Sequence, residues 1–172
     1  MRAKTKPKEI FLQPGEYFVG DAGHRIRTVL GSCVSMTLWH PGKRIGAMSH
    51  FLLSRRGAGK LSELDARYGE EAMELMLEEL ARVRVVASEC HGKIFGGGNM
   101  FPGVSRVDSL NVGQKNGETA RRLLQAHDVP IISESLYGIG HRQIIFDVHS
   151  GHVWVCQVKL VDSGGFPLKA AP

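Results

Sequence analysis

Cys33 and His50 are the residues of this chain whose types and spacing could support covalent catalysis. A cysteine attacks as its thiolate, and an unassisted thiol is mostly protonated at neutral pH, so a catalytic cysteine needs a base within reach. The β-rich segments 28–39 and 44–53 flank Pro41-Gly42, which predicts a hairpin with its turn at that pair. In that register Cys33 lies directly opposite His50, so thiol and imidazole share one face of the sheet. A facing imidazolium would also depress the pKa of the thiol.

Gly31 and Ser32 precede Cys33 and permit a tight loop, whose backbone amides could hold the oxyanion of an acyl-transfer reaction. From the residues alone a structural alternative stays open, in which Cys33 is a small buried hydrophobe and His50 a core histidine. A one-residue bulge would place the two side chains on opposite faces of the sheet. The pattern therefore indicates a candidate cysteine hydrolase site and leaves its use undecided.

Four segments, taken in order, resemble the successive motifs of the CheD family, the chemoreceptor glutamine deamidases of bacterial chemotaxis. They are LGSCV at 30–34, GAMSHFLL at 46–53, FGGGNMF at 95–101 and NVGQKN at 111–116. The resemblance extends from about Glu16 to Val158. It implies a hydrolase that converts selected receptor glutamines to glutamates and, in some members, hydrolyses glutamyl methyl esters. The implied fold is α+β, a layered β-sandwich with helices on both sides, similar to that of glutamine-deamidating bacterial toxins.

Carried over residue by residue, the resemblance assigns the nucleophile to Cys33, the general base to His50 and an orienting threonine to Thr28. The expected substrate-binding residues are Gly31, Ser32, Gly97 and Gly98. The implied partners are methyl-accepting chemotaxis receptors and a phosphatase of the CheC family. No cofactor is implied.

Two segments depart from the family pattern and keep other functions open. Residues 54–56 read Ser-Arg-Arg where the family often has a proline, and residues 136–142 differ from the usual later glycine-rich stretch. A non-catalytic adaptor that binds receptors or a CheC-type phosphatase is therefore an alternative. A cysteine amidase for small molecules is a third possibility, but it would need a deep, enclosed pocket.

The composition fits one soluble, cytoplasmic domain. A chain of 172 residues fits a single domain, with a CheD-like catalytic part at about 9–160 and weakly ordered tails. The three cysteines show no paired spacing and fit a reducing compartment. The net charge of +5 comes from basic residues interleaved with acids, which argues against nucleic-acid binding. No segment approaches the ~20 apolar residues of a membrane helix, so no membrane insertion is expected. Cys90-His91 lacks the ligand spacing of a metal site.

Hydrophobic spacing predicts the elements that would hold this site. A helix is expected over 67–83, and a second is expected to begin at an Asn116 cap and end before Pro130. Strands are expected at 93–95 and 131–136, followed by a hairpin of 142–149 and 152–158. This order favours helices that cover a mixed or antiparallel sheet.

Overall fold

A computed structural model of the protein describes residues 6–59, 63–103 and 107–159. The parts of both expected weak tails that precede residue 6 or follow residue 159 lie outside these ranges. The strands are β1 Lys8–Phe11, β2 Tyr17–Gly20, β3 His24–Leu30, β4 Val34–His40, β5 Ile45–Ser49, β6 His91–Gly96, β7 Ile131–Leu136, β8 His141–Asp147 and β9 Val153–Val158. The helices are α1 Gly69–Arg82 and α2 Val107–Ala126. Neither of these two helices is long and apolar enough to cross a membrane.

The strands form two sheets that pack face to face. The four-stranded sheet has the order β1-β3-β8-β9, and the five-stranded sheet has the order β2-β5-β4-β6-β7. One buried cluster fills the space between the sheets and includes Leu30, Met48 and Phe146. A second cluster lies between the five-stranded sheet and the helices. The predicted α+β sandwich is confirmed, although both helices of the described residues cover the same side of it.

Helix α1 follows the predicted pattern closely. Met73, Met76 and Leu80 are buried on the face that packs on the sheet, as apolar residues at helical spacing should be. Glu70 in the first turn and Arg82 in the last turn complement the helix dipole. The observed bounds lie within the predicted 67–83.

Helix α2 corrects the prediction that Asn116 caps it, because Asn116 lies inside the helix. Gly113 and Gly117 also lie inside it, and both residue types, asparagine and glycine, have low helix propensity. A Cβ atom on Gly113 would stand 2.5 Å from the Gly97 carbonyl oxygen, so the helix passes too close to the glycine segment after β6 for any side chain there. Tertiary packing has therefore overridden local propensity. The helix ends before Pro130, as predicted.

The first predicted hairpin needs two corrections. Segment 28–39 is not one strand, because β3 lies in the four-stranded sheet and β4 in the five-stranded sheet, and the chain crosses between them at 31–33. The turn is also longer than expected, since Ile45 pairs with His40 and Arg44 adopts a positive φ of 51°. Val34 consequently pairs with Phe51. Cys33 is therefore not directly opposite His50.

Candidate active site

The corrected register still leaves Cys33 and His50 on the same side of the five-stranded sheet. Relative to the predicted register the pairing has moved by two residues, and side chains alternate faces with a period of two, so the shared face is kept. Cys33 packs against the cluster between the sheets, as does Met48 two residues before His50. The two residues are diagonal neighbours across the ladder. Cα atoms in such pairs are typically ~7–8 Å apart, within reach of an imidazole.

The side chain of His50 is held by Thr28, which the resemblance had assigned as the orienting residue. Both are buried, with exposures of 2% and 1%. The Thr28 hydroxyl donates to the Leu12 carbonyl oxygen at 2.7 Å, and its Oγ1 lies 2.7 Å from His50 Nδ1. A hydroxyl has one proton, and a carbonyl oxygen can only accept, so Thr28 Oγ1 must accept from His50 Nδ1–H. This fixes the tautomer and leaves the Nε2 lone pair free to accept a proton.

Burial acts on both members of the pair in the direction that removes charge. It lowers the pKa of His50 to about 4, against smaller opposing effects of the Leu12 carbonyl and the Glu16 carboxylate. It also raises the pKa of the Cys33 thiol, and the residue's own backbone N–H offsets only part of that rise. The predicted depression of the Cys33 pKa is therefore wrong. The resting site holds a neutral thiol and a neutral imidazole rather than an ion pair.

No hydrogen bond joins the Cys33 thiol to His50 within the described part of the chain. Catalytic hydrogen bonds are often long in a free enzyme and shorten when substrate binds. The geometry thus places a base on the same face of the sheet as the thiol, without a preformed bond between them.

The glycine-rich segment after β6 holds the loop that carries Cys33. The amides of Gly97 and Gly98 donate to the carbonyl oxygens of Cys33 and Gly31, both at 2.8 Å. Gly96 makes this approach possible, because its φ is 115° and a Cβ atom on it would stand 2.2 Å from the Cys33 oxygen. The glycines therefore position the loop that carries Cys33, and a direct role in substrate binding stays a prediction.

The backbone of this loop presents free donors beside the thiol. The amide groups of Ser32 and Cys33 donate no hydrogen bond to another residue of the described ranges. Asn116, buried to 1% exposure, donates from Nδ2 to the Ser32 carbonyl oxygen at 3.2 Å. Sequence reasoning missed this residue as part of the site, although it ends the NVGQKN segment that carries the resemblance. The two free amides can serve as oxyanion donors.

Two concave regions lie near the site. A cavity of about 350 Å³ is lined by Gly97, Asn99, Gln114, Tyr137 and Gly138, and it adjoins the segment that holds the Cys33 loop. A larger open groove of about 800 Å³ is lined partly by residues 10–12 and 15–18, behind the backbone that supports His50. Neither Cys33 nor His50 lines either of them. The smaller cavity is the better candidate for binding substrate, because it is lined by Gly97, whose amide holds the Cys33 loop. No three His, Cys, Asp or Glu side chains of the described residues are grouped to hold a metal ion.

Comparison with known proteins identifies the family. Residues 52–157 match the family described as CheD chemotactic sensory transduction, a span that begins after Cys33 and His50. The chain is 64% identical to "Probable chemoreceptor glutamine deamidase CheD 2" of Albidiferax ferrireducens, over 95% of this chain and 96% of that protein. It is 42% identical to "Probable chemoreceptor glutamine deamidase CheD 3" of Dechloromonas aromatica, over 89% of both chains. The match to the family and the extent of these identities show that the chain belongs to the CheD family.

Proposed function

We propose that the protein is a glutamine deamidase of chemotaxis receptors, with Cys33 as nucleophile and His50 as general base. The relatives that share most of its length are named as chemoreceptor glutamine deamidases. The observation that carries the assignment of residues is the Thr28 hydroxyl, which accepts from His50 Nδ1 and leaves Nε2 free on the face that Cys33 shares.

The neutral pair supports a general-base mechanism. His50 Nε2 takes the thiol proton as Cys33 Sγ bonds to the carboxamide carbon of the substrate glutamine, and the carbonyl electrons move to the oxygen. The amides of Ser32 and Cys33 hold that oxyanion. His50 then gives its proton to the amide nitrogen as the carbon–nitrogen bond breaks, which releases ammonia and leaves a thioester. Water deprotonated by His50 attacks the thioester, releases glutamate and restores the thiol.

The low pKa of His50 fits the departure of ammonia better than the initial attack. A group with a pKa of about 4 is a weak base but, once protonated, a strong acid. An amide nitrogen leaves only after it is protonated, so a strongly acidic imidazolium helps the step that distinguishes amides from esters. Glutamyl methyl esters would form the same thioester, and we propose their hydrolysis as a secondary activity.

The surroundings of the site favour a macromolecular substrate over a small molecule. Three apolar side chains on the segments that adjoin the Cys33 loop are well exposed, and these are Leu53 at 46%, Phe101 at 64% and Ile139 at 45%. Such exposed apolar residues near a site are typical of surfaces that bind proteins. We propose cytoplasmic receptor segments as the substrates that cover them, with Gly97 near the bound glutamine, and the cytoplasm as the place of action. A CheC-type phosphatase as a second partner stays a prediction.

Conversion of a receptor tests the proposal directly. The protein is incubated with the cytoplasmic fragment of a receptor from the same organism, and released ammonia and Gln-to-Glu conversion are followed by enzymatic assay and peptide mass spectrometry. Cys33→Ala should abolish both signals, whereas Cys156→Ala, which removes a half-buried cysteine on β9, should leave them intact. Absence of conversion in every receptor from that organism would contradict the proposal. Full rescue of chemotaxis by Cys33→Ala would instead favour the adaptor alternative.

A further inference from the structure

We propose that Asn116 is a positioning residue for the reaction proposed above, on which this inference rests. Its side chain connects helix α2 to both segments that carry the chemistry. Asn116 Nδ2 donates to the carbonyl oxygen of Ser32 at 3.2 Å and to that of Leu52 at 2.7 Å. Ser32 directly precedes the nucleophile, and Leu52 follows His50 by two residues. One amide group thus joins the Cys33 loop to the His50 segment.

The orientation of the Asn116 amide follows from its partners. Both carbonyl oxygens can only accept, so only the NH₂ group can face them. The Asn116 Oδ1 accepts from the Ser54 hydroxyl at 3.3 Å on the other side. The amide is therefore satisfied on both ends, as a buried polar group must be.

An asparagine inside a helix lowers the stability of that helix, so the position of Asn116 calls for a structural explanation. Asparagine and glycine both lower helix propensity, yet Gly113, Asn116 and Gly117 lie on one face of α2. A Cβ atom on Gly113 would stand 2.5 Å from the Gly97 oxygen, and one on Gly117 would stand 2.6 Å from the Tyr137 hydroxyl. The two glycines let the helix approach the back of the site closely. At that distance the short Asn116 side chain reaches both carbonyls.

The bond to Ser32 sets the direction of an oxyanion donor. The Ser32 carbonyl and the Cys33 amide belong to one planar peptide unit, in which C=O and N–H point in opposite directions. Because Asn116 holds the carbonyl on the α2 side, the Cys33 N–H points away from α2. A donor fixed in this way stabilises charge that appears only in the transition state. Loss of Asn116 should therefore lower kcat and leave KM nearly unchanged.

Two substitutions at this position separate positioning from packing. Asn116→Leu keeps the approximate volume but removes the donors, and we expect kcat to fall roughly 10–100-fold with little change in KM. Asn116→Asp places an acceptor against two carbonyl oxygens. The loss of kcat in Asn116→Asp relative to the parent should become smaller as the pH falls from 8 to 5, because a protonated carboxyl can donate to one carbonyl. The loss of kcat in Asn116→Leu should not change with pH. Thr119→Val, a buried polar change on the same helix, should leave kcat unaffected.

The same variants have a readout that needs no substrate. Hydrogen exchange should increase in peptides 31–34 and 50–53 of folded Asn116→Leu and stay unchanged in β8 and β9. Unchanged exchange in both peptides would overturn the proposal whether or not receptors are substrates. It would also be overturned if folded Asn116→Leu kept the parental kcat, if KM rose instead, or if the deficit of Asn116→Asp did not vary with pH. Failure of the parent to convert any receptor would count against the proposed function alone.

Discussion

The pH dependence of Cys33 alkylation tests the neutral-pair site most directly. A free thiol with a pKa of about 8.5 is about 3% ionised at pH 7, and burial places Cys33 below that fraction. A thiolate–imidazolium pair with a thiol pKa of about 6 would be about 90% ionised at the same pH. The two arrangements therefore differ at least about 30-fold in reactive thiolate at pH 7. We expect Cys33 to react slowly at neutral pH and to accelerate about tenfold per pH unit up to pH 8.5 and beyond.

The assay measures iodoacetamide labelling by peptide mass spectrometry between pH 5 and pH 10. The half-buried Cys156 is an internal reference, whereas Cys90 should stay unlabelled because burial raises its pKa to about 11. His50→Gln should change the Cys33 labelling rate by no more than about threefold, since a neutral imidazole contributes no charge to a thiolate. The same variant should lose at least about 100-fold in deamidation if His50 is the general base.

A labelling rate that already reaches its plateau by pH 7 would refute the neutral-pair reasoning. So would a large drop in Cys33 labelling in His50→Gln, because that drop would mean that an imidazolium had stabilised the thiolate. The difference in ultraviolet thiolate absorbance between the parent and Cys33→Ala provides an independent titration of Cys33 and does not depend on reagent access.

Three further changes test the geometry around the pair. Thr28→Val removes the acceptor for His50 Nδ1–H, and we expect kcat to fall about tenfold or more, whereas Thr28→Ser should stay within a few-fold of the parent in the same kinetic assay. The pKa of His50 lies at about 4 in the folded state and near 6.5 when unfolded, so the unfolded chain takes up a proton first. Folding stability should fall by about 3 kcal/mol as the pH drops from 6.5 to about 4, measured by urea unfolding, and by less in His50→Gln. Gly96→Ala should destabilise the fold by about 2–4 kcal/mol in the same assay, through its positive φ and the contact with the Cys33 oxygen. Gly57→Ala, where a Cβ atom meets nothing within 4 Å, should be within about 0.5 kcal/mol of the parent.

Elements with a strong local pattern could be predicted from the sequence. Helix α1 repeats its buried residues at helical spacing, and β8 and β9 alternate around a Ser150-Gly151 turn. Strand β6 leads into its glycines as expected. In each case the pattern within the segment is enough to identify the element, so local information is sufficient for the element although not for its partners.

The crossing at 31–33 could not be predicted, because β3 and β4 are both β-rich and only their partners place them in different sheets. β3 pairs with β1 and β8, which are distant in sequence from β4 and its partners. The predicted register of the hairpin was wrong for a more local reason. Arg44 adopts a left-handed conformation that is uncommon for a residue other than glycine, and this lengthens the turn. The shift happened to be even, so the predicted shared face survived a wrong pairing.

The charge state of the pair also lies beyond the reach of sequence. Residue types suggest that an imidazole activates a thiol as an ion pair, but burial of both groups decides against it. Both groups are buried because they lie where the two sheets pack against each other. Thr28 comes from the four-stranded sheet, His50 follows a strand of the five-stranded sheet, and Cys33 lies on the crossing between them. Each sheet alone would hold an incomplete set in contact with water. Packing of the sheets therefore brings the three groups together and also determines their protonation states, so the geometry of the proposed catalytic site depends on the core that lies between the sheets.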